Sequence, residues 1–266
     1  MFEIFTFPFM QRALVVGVTS AALLGWMGVY VISRHLSFIG DGIAHASLAA
    51  IAVAVLLGWA PLPVALVFSI VLAVILFLME KKTNISRDTA IGILFVVGMA
   101  LGIILLQFHQ GYVPELISFL FGNILAIRTI DLSIVLILGA CIGALLFVYR
   151  KQLTFITVDA EGAQLAGVNR NFFELLLYIL TALTVVLSIK VVGIVLVSAL
   201  LVIPSAISKS FAKSFIAFQW ISIVASVLIV VVGLILSYVL DLPSGATIVL
   251  VGALSFFVVR LLLLKR

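Results

Sequence analysis

Apolar residues follow one another along this chain in runs about as long as a bilayer-crossing helix, and polar residues fall almost entirely in the gaps between them. Read between Gly, Pro and charged punctuation, the pattern predicts helices over 10–33, 43–58, 62–79, 89–108, 131–149, 172–189, 191–207, 214–239 and 244–263. A hydrocarbon core of about 30 Å needs about 20 apolar residues per helix. The stretch 113–126, "VPELISFLFGNILA", is too short for that and reads as a re-entrant or interfacial helix closed off by Gly122 and Asn123. The expected fold is therefore all-α: a polytopic integral membrane protein with eight to nine transmembrane helices, forming a single domain over residues 1–266.

Composition agrees. With 65% of its 266 residues hydrophobic and only 9% charged, the chain lies outside the range of soluble domains. No basic leader with a small-residue cleavage site precedes the first run, so no removable signal peptide is expected. Cys141 lies alone inside "IVLILGACIGALLF" and reads as a small packing residue.

The formal charge of +5 is explained by topology rather than by nucleic acid. Lys and Arg in short loops are retained on the cytoplasmic side. One face collects Arg34, Lys81, Lys82, Arg87, Arg150, Lys151, Arg170, Lys209, Lys213, Arg260, Lys265 and Arg266, and the other keeps Arg12, Arg128 and Lys190. That division predicts an external N-terminus and a cytoplasmic C-terminus. The loops "WAPLP", "HQGYVPE" and "DLPSG" then face outward. The longest polar stretch, 150–171, becomes cytoplasmic, with a short helix expected to start at Asp159, which can act as its cap. This stretch reads either as a connector on the membrane surface or as a docking helix for a soluble partner, offering Ala163, Ala166 and Gly167 as a small-residue face.

Candidate chemistry concentrates in "GDGIAH". Asp41 and His45 are spaced i,i+4 and so share one helix face, bracketed by Gly40 and Gly42. Ionisable groups at bilayer depth are costly and mark pathways for ions or substrates. A hard oxygen beside a borderline nitrogen suits a first-row divalent cation such as Zn²⁺ or Mn²⁺. The alternative is structural: Asp41 as N-cap of a helix starting at Gly42, and His45 satisfied by a backbone carbonyl. Glu115 and Asn123 are the next candidate ligands, while Gln107, His109, Ser198 and Lys190 read as ordinary loop or packing groups.

These residues resemble a known family, the membrane permeases of ATP-binding-cassette importers for zinc, manganese and sometimes iron. "SFIGDGIAHASLAAIA" resembles that family's second-helix motif, "VDAEGAQLAGV" is similar to its cytoplasmic coupling segment, and "SALLVIPSAISK" to its late segment with Pro204 in place. The resemblance covers nearly the whole chain. It implies two copies of the permease, two copies of a cytoplasmic ATPase and an extracytoplasmic metal-binding protein, with Asp41 and His45 coordinating the ion in transit. It also implies that Asp159, Glu161, Ala163, Ala166 and Gly167 lie on or beside the ATPase-coupling helix, with Gly40, Gly42 and Pro204 as hinge positions. No permanently bound cofactor is expected, only transported Zn²⁺ or Mn²⁺. The chain contains no Gly-x-x-x-x-Gly-Lys-Ser/Thr phosphate loop, so ATP hydrolysis of that kind would fall to a partner. Alternatives are a gradient-driven secondary transporter with Asp41 as the proton-coupling acid, or a permease for an iron chelate; a membrane metalloprotease would need a His-Glu-x-x-His pattern that the sequence lacks.

Overall fold

The computed structural model describes residues 7–83, 85–109, 122 and 129–264. They are helical throughout, in the order α1 (Pro8–Ser33), α2 (Ile39–Leu57), α3 (Pro61–Lys82), α4 (Arg87–Gln107), α5 (Thr129–Val148), α6 (Arg150–Val158), α7 (Ala160–Leu165), α8 (Arg170–Val192), α9 (Ile194–Lys209), α10 (Phe215–Leu240) and α11 (Ser244–Leu264). Eight of them are long and apolar enough to cross a bilayer: α1 to α5, α8, α10 and α11. The expected re-entrant helix at 113–126 lies outside the described residues, apart from Gly122.

Local chemistry sets the helix ends. Pro61 and Pro63 occupy the first turn of α3, where their missing N–H groups have no helical partner to lose. Ser86 caps α4, accepting from Thr89 N, and Asp159 caps α7, accepting from Gly162 N at 2.8 Å, as the sequence predicted. Helix α2 closes on Gly58 in the left-handed conformation, with Trp59 N donating back to Ala54 O.

Helices α1, α2 and α8 form the centre, with Tyr30, Leu24, Met27, Ile51, Leu180 and Leu187 fully buried. By contrast α4, α5 and α11 turn most of their surface outward, exposing Ile103, Ile137, Leu254 and Leu261. In water such a belt would be an aggregation hazard; around a membrane bundle it is the lipid-facing surface. Small residues let the helices meet closely. A Cβ at Gly98 of α4 would lie 2.5 Å from Ala46 Cα on α2, and one at Gly25 of α1 would lie 2.8 Å from Ser222 O on α10.

These contacts fix directions. Gly25 meets Ser222 and Gly17 meets Val230, so α1 and α10 are antiparallel, as are α10 and α11 through Gly233–Ile248 and Gly252–Ile229. Helices α2 and α4 run parallel, Gly42 against Ile91 and Gly102 against Leu48. Gly139 beside Thr19 and Gly143 beside Leu23 orient α5 along α1. It follows that α4 ends and α5 begins at the same end of the bundle. The basic residues Arg34, Lys81, Lys82, Arg87, Arg150, Arg170, Lys209 and Arg260 gather at the opposite end.

Two features differ from the sequence expectation. The break between the sixth and seventh predicted runs falls at Gly193, not at Lys190, because φ +81° and ψ 160° there suit glycine alone, and α9 turns straight back after one residue. At 16 residues, or about 24 Å, α9 is shorter than the eight long helices, yet it returns through the bundle between α1, α2 and α10. Helix α6 was not anticipated at all. It begins one residue after α5 and buries Leu153 and Ile156, an i,i+3 pair among polar neighbours.

Candidate functional site

Helix α2 starts at Ile39, four residues earlier than its sequence pattern suggested, so Asp41 is the third helical residue and not the N-cap. The cap position is Phe38, whose side chain makes no capping bond. The Asp41 carboxylate turns instead toward α9, where Ser198 Oγ donates to Oδ1 at 2.7 Å. One turn further along, His45 Nδ1 lies 2.9 Å from the backbone oxygen of Asp41. A carbonyl can only accept, so Nδ1 carries the proton and the Nε2 lone pair is left for a ligand. The histidine does satisfy a carbonyl, as the structural alternative required, but with the nitrogen that a ligand would not use.

The imidazole is held from a second side. Its ring centroid lies 4.6 Å from that of Phe95 on α4, with the planes tilted by 52°. Gly40 and Gly42 make both approaches possible: a Cβ on Gly40 would lie 3.2 Å from Ser198 Oγ, and one on Gly42 would lie 2.5 Å from Ile91 Cγ2. Both glycines sit in regular helix with ordinary φ, so their evident role is close packing. Pro204, the third expected hinge position, lies inside a continuous α9, where its missing N–H leaves the Leu200 carbonyl without its helical donor.

Depth follows from helix geometry. Phe95 is eight residues beyond Arg87, which puts His45 about 12 Å from the charged end of α4. Ser198 is eleven residues before Lys209, which puts Asp41 about 16 Å from the basic end of α9. Gly42, beside Asp41, packs on Ile91, four residues or about 6 Å beyond Arg87, so the pair lies about 6–16 Å from the basic end of a core about 30 Å thick.

At the basic end, just below this pair, lies an ionic layer that the sequence reading did not single out. Arg34 Nη2 donates to Glu174 Oε1 at 2.6 Å, both side chains almost fully buried, and Arg170 Nε donates to the same oxygen at 3.0 Å. Arg87 donates to Glu80 at 2.5 Å and to the Arg34 carbonyl at 3.1 Å, while the Tyr178 hydroxyl donates to the other oxygen of Glu80. Four helices, α1, α3, α4 and α8, are thus tied together, with every carboxylate matched by a guanidinium. The i,i+4 spacing of Arg170 and Glu174 was the visible signal.

Among the described residues no cluster of three or more His, Cys, Asp or Glu side chains forms, so Asp41 and His45 stand as a two-donor pair. Glu115 and Asn123 fall outside the described residues. Around α7 the expected coupling residues divide. Ala163 is fully buried and so cannot belong to an accessible face, whereas Asp159, Glu161, Ala166 and Gly167 are exposed together with Leu165, which is 91% exposed.

Comparison with known proteins agrees along the whole chain. The profile of the ABC 3 transport family matches residues 6–263. A probable metal transport system membrane protein of Thermotoga maritima is 34% identical over 254 residues, covering 96% of this chain and 90% of the relative. The high-affinity zinc uptake system membrane protein ZnuB of Haemophilus influenzae is 33% identical over 256 residues, 96% of each chain. Among solved structures, a chain of PsaBC from Streptococcus pneumoniae in complex with Fab superposes with a TM-score of 0.87 at 32% identity, covering 100% of this chain and 98% of that one. With the family profile, the relatives and the fold in agreement, the chain belongs to the ABC 3 transport family.

Proposed function

We propose that this chain is the permease subunit of an importer for divalent transition-metal ions, zinc or manganese, energised by a separate cytoplasmic ATPase and supplied by an extracytoplasmic metal-binding protein. The observation that carries the reading is the Asp41–His45 pair set among membrane-spanning helices, with its imidazole presenting Nε2 as a ligand. Few protein donors suit a transit site, which must accept an ion and then release it. Water, Glu115 or Asn123, or a second copy of the chain in a homodimer, completes the coordination. The basic end of the bundle is cytoplasmic by the positive-inside rule, which leaves the N-terminus outside and the C-terminus inside. The exposed surface of α7 around Glu161, Ala166 and Gly167, with Asp159 as its cap, is where the ATPase docks. Names of the relatives support the cargo: ZnuB is a zinc uptake protein, and a 32% identical relative from Listeria innocua is the manganese transport system membrane protein MntC.

Purified permease reconstituted in vesicles with its ATPase and binding protein tests this. Uptake of Zn²⁺ or Mn²⁺ that requires ATP inside the ATPase compartment is expected. Uptake driven by a proton or sodium gradient without the ATPase would overturn the reading.

A further inference from the structure

Asp41 does not meet its ligand with both oxygens equally free, because the hydroxyl of Ser198, 157 residues away in sequence, already occupies Oδ1. Among the described residues no donor reaches Oδ2. We infer that Ser198 is a specificity-determining positioning residue, which presents Asp41 to the transported ion through one oxygen; the inference rests on the proposed metal-import reading of this site.

The physical argument starts from the carboxylate. An unrestrained aspartate can rotate about its last torsion and chelate a cation with both oxygens, a mode suited to larger, oxygen-preferring ions with high coordination numbers. A hydroxyl donating at 2.7 Å fixes that torsion and takes up one lone-pair direction of Oδ1. The oxygen left wholly free is Oδ2, which with the Nε2 of His45 offers one oxygen and one nitrogen. Single-oxygen carboxylate and imidazole ligation is the set that tetrahedral Zn²⁺ accepts readily, and it offers less to Mn²⁺, which favours more oxygens.

Backbone packing keeps this restraint in place. Ser198 reaches Asp41 because Gly40 lets α9 lie against the first turn of α2, where an added Cβ would sit 3.2 Å from both Ser198 Oγ and Leu201 Cδ2. The serine sits in the second turn of α9, just after the Gly193 turn, whereas the far half of that helix is held separately. There Ser205 Oγ pairs with Ser222 Oγ at 2.8 Å, and Ser208 donates to Phe218 O at 2.7 Å. Ser205 and Ser208 therefore secure α9 in the bundle without touching Asp41, and loss of the Ser198 hydroxyl alone leaves those anchors intact.

The test is paired uptake of radiolabelled Zn²⁺ and Mn²⁺ by cells producing the intact transporter with wild-type, Ser198→Ala, Ser198→Thr or Asp41→Asn permease. Ser198→Ala is expected to raise the Mn²⁺-to-Zn²⁺ uptake ratio by roughly threefold or more, by freeing the second carboxylate oxygen. Ser198→Thr keeps the donor and is expected to restore the wild-type ratio, which a purely steric role for the serine would not require. A ratio in Ser198→Ala equal to wild type overturns the inference. Should Ser198→Ala transport neither ion, the same shift is required in Zn²⁺ and Mn²⁺ binding to the purified complex, and an unchanged ratio there overturns it equally. Asp41→Asn separates the two levels: normal uptake in that variant removes the site assignment itself, whereas lost uptake with an unshifted Ser198→Ala ratio removes only the role of Ser198.

Discussion

His45 on α2 and Phe95 on α4 face one another with their ring centroids 4.6 Å apart, so the helix that carries the candidate ligand and the helix that faces lipid are joined at the imidazole. An aromatic contact of this kind contributes about 0.5–1.5 kcal/mol beyond the area it buries. Phe95→Ala should leave the protein folded but let the imidazole turn away from the Asp41 carboxylate. The expected result is an apparent KM for the transported ion raised about 2- to 10-fold, read from initial uptake rates across metal concentrations. An unchanged KM would mean that the Asp41 carbonyl alone orients His45.

Stability should depend on the ionic layer beneath. Arg34 and Glu174 are 5% and 4% exposed, and Arg34 Nη1 finds no partner among the described residues, so the pair tolerates little further loss. Removing one member of a buried pair costs about 3–5 kcal/mol, because it strands the other charge. Glu174→Gln should therefore lower the melting temperature of the detergent-solubilised protein strongly. Replacing both, as Arg34→Met with Glu174→Leu, should recover much of that loss. Equal melting of the single variant and wild type would show that water compensates the guanidinium groups that Glu174 otherwise neutralises.

Gly167 follows α7 with φ +82° and has open space where a side chain would be. Gly167→Val thus meets no clash within the chain, but it strains the backbone by about 1–2 kcal/mol and projects a bulky group from the exposed face of α7. If that face docks the ATPase, co-purification of the ATPase should fall, or ATP hydrolysis should persist without transport. Full association together with coupled transport would place the docking surface elsewhere.

Sidedness has its own check. A reporter enzyme active only in the cytoplasm, fused after Arg266, should be active, because the basic ends of α1, α3, α4, α8 and α9 lie together. Activity of an exclusively extracytoplasmic reporter at the same position would invert the orientation.

Much of this was legible in the sequence because a membrane interior simplifies the code. Apolar length fixed the helices to within a few residues, Asp159 announced α7, and an Asp and a His in an apolar run had few inexpensive explanations. What stayed hidden was tertiary. The spacing of Asp41 and His45 could not show that α2 begins at Ile39 and so takes Asp41 off the N-cap, since that follows from the fold of Arg34 to Phe38. Ser198 looks like any small polar residue in a helix until α9 is packed against Gly40. Ala163 belonged by composition to a small-residue face but points inward, because α7 lies against α6 and α8, and helix length is too short there for periodicity to tell one face from another. Helix α6 was missed because its buried residues, Leu153 and Ile156, are diluted by polar neighbours.

The most direct test of the account is metal uptake by cells producing the complete transporter with wild-type, Asp41→Asn or His45→Ala permease, with membrane levels of the complex measured in parallel. Loss of Zn²⁺ or Mn²⁺ uptake in both variants, at undiminished levels of assembled complex, is the expected result. Undiminished uptake in both would show that the pair is structural and that the ion crosses elsewhere.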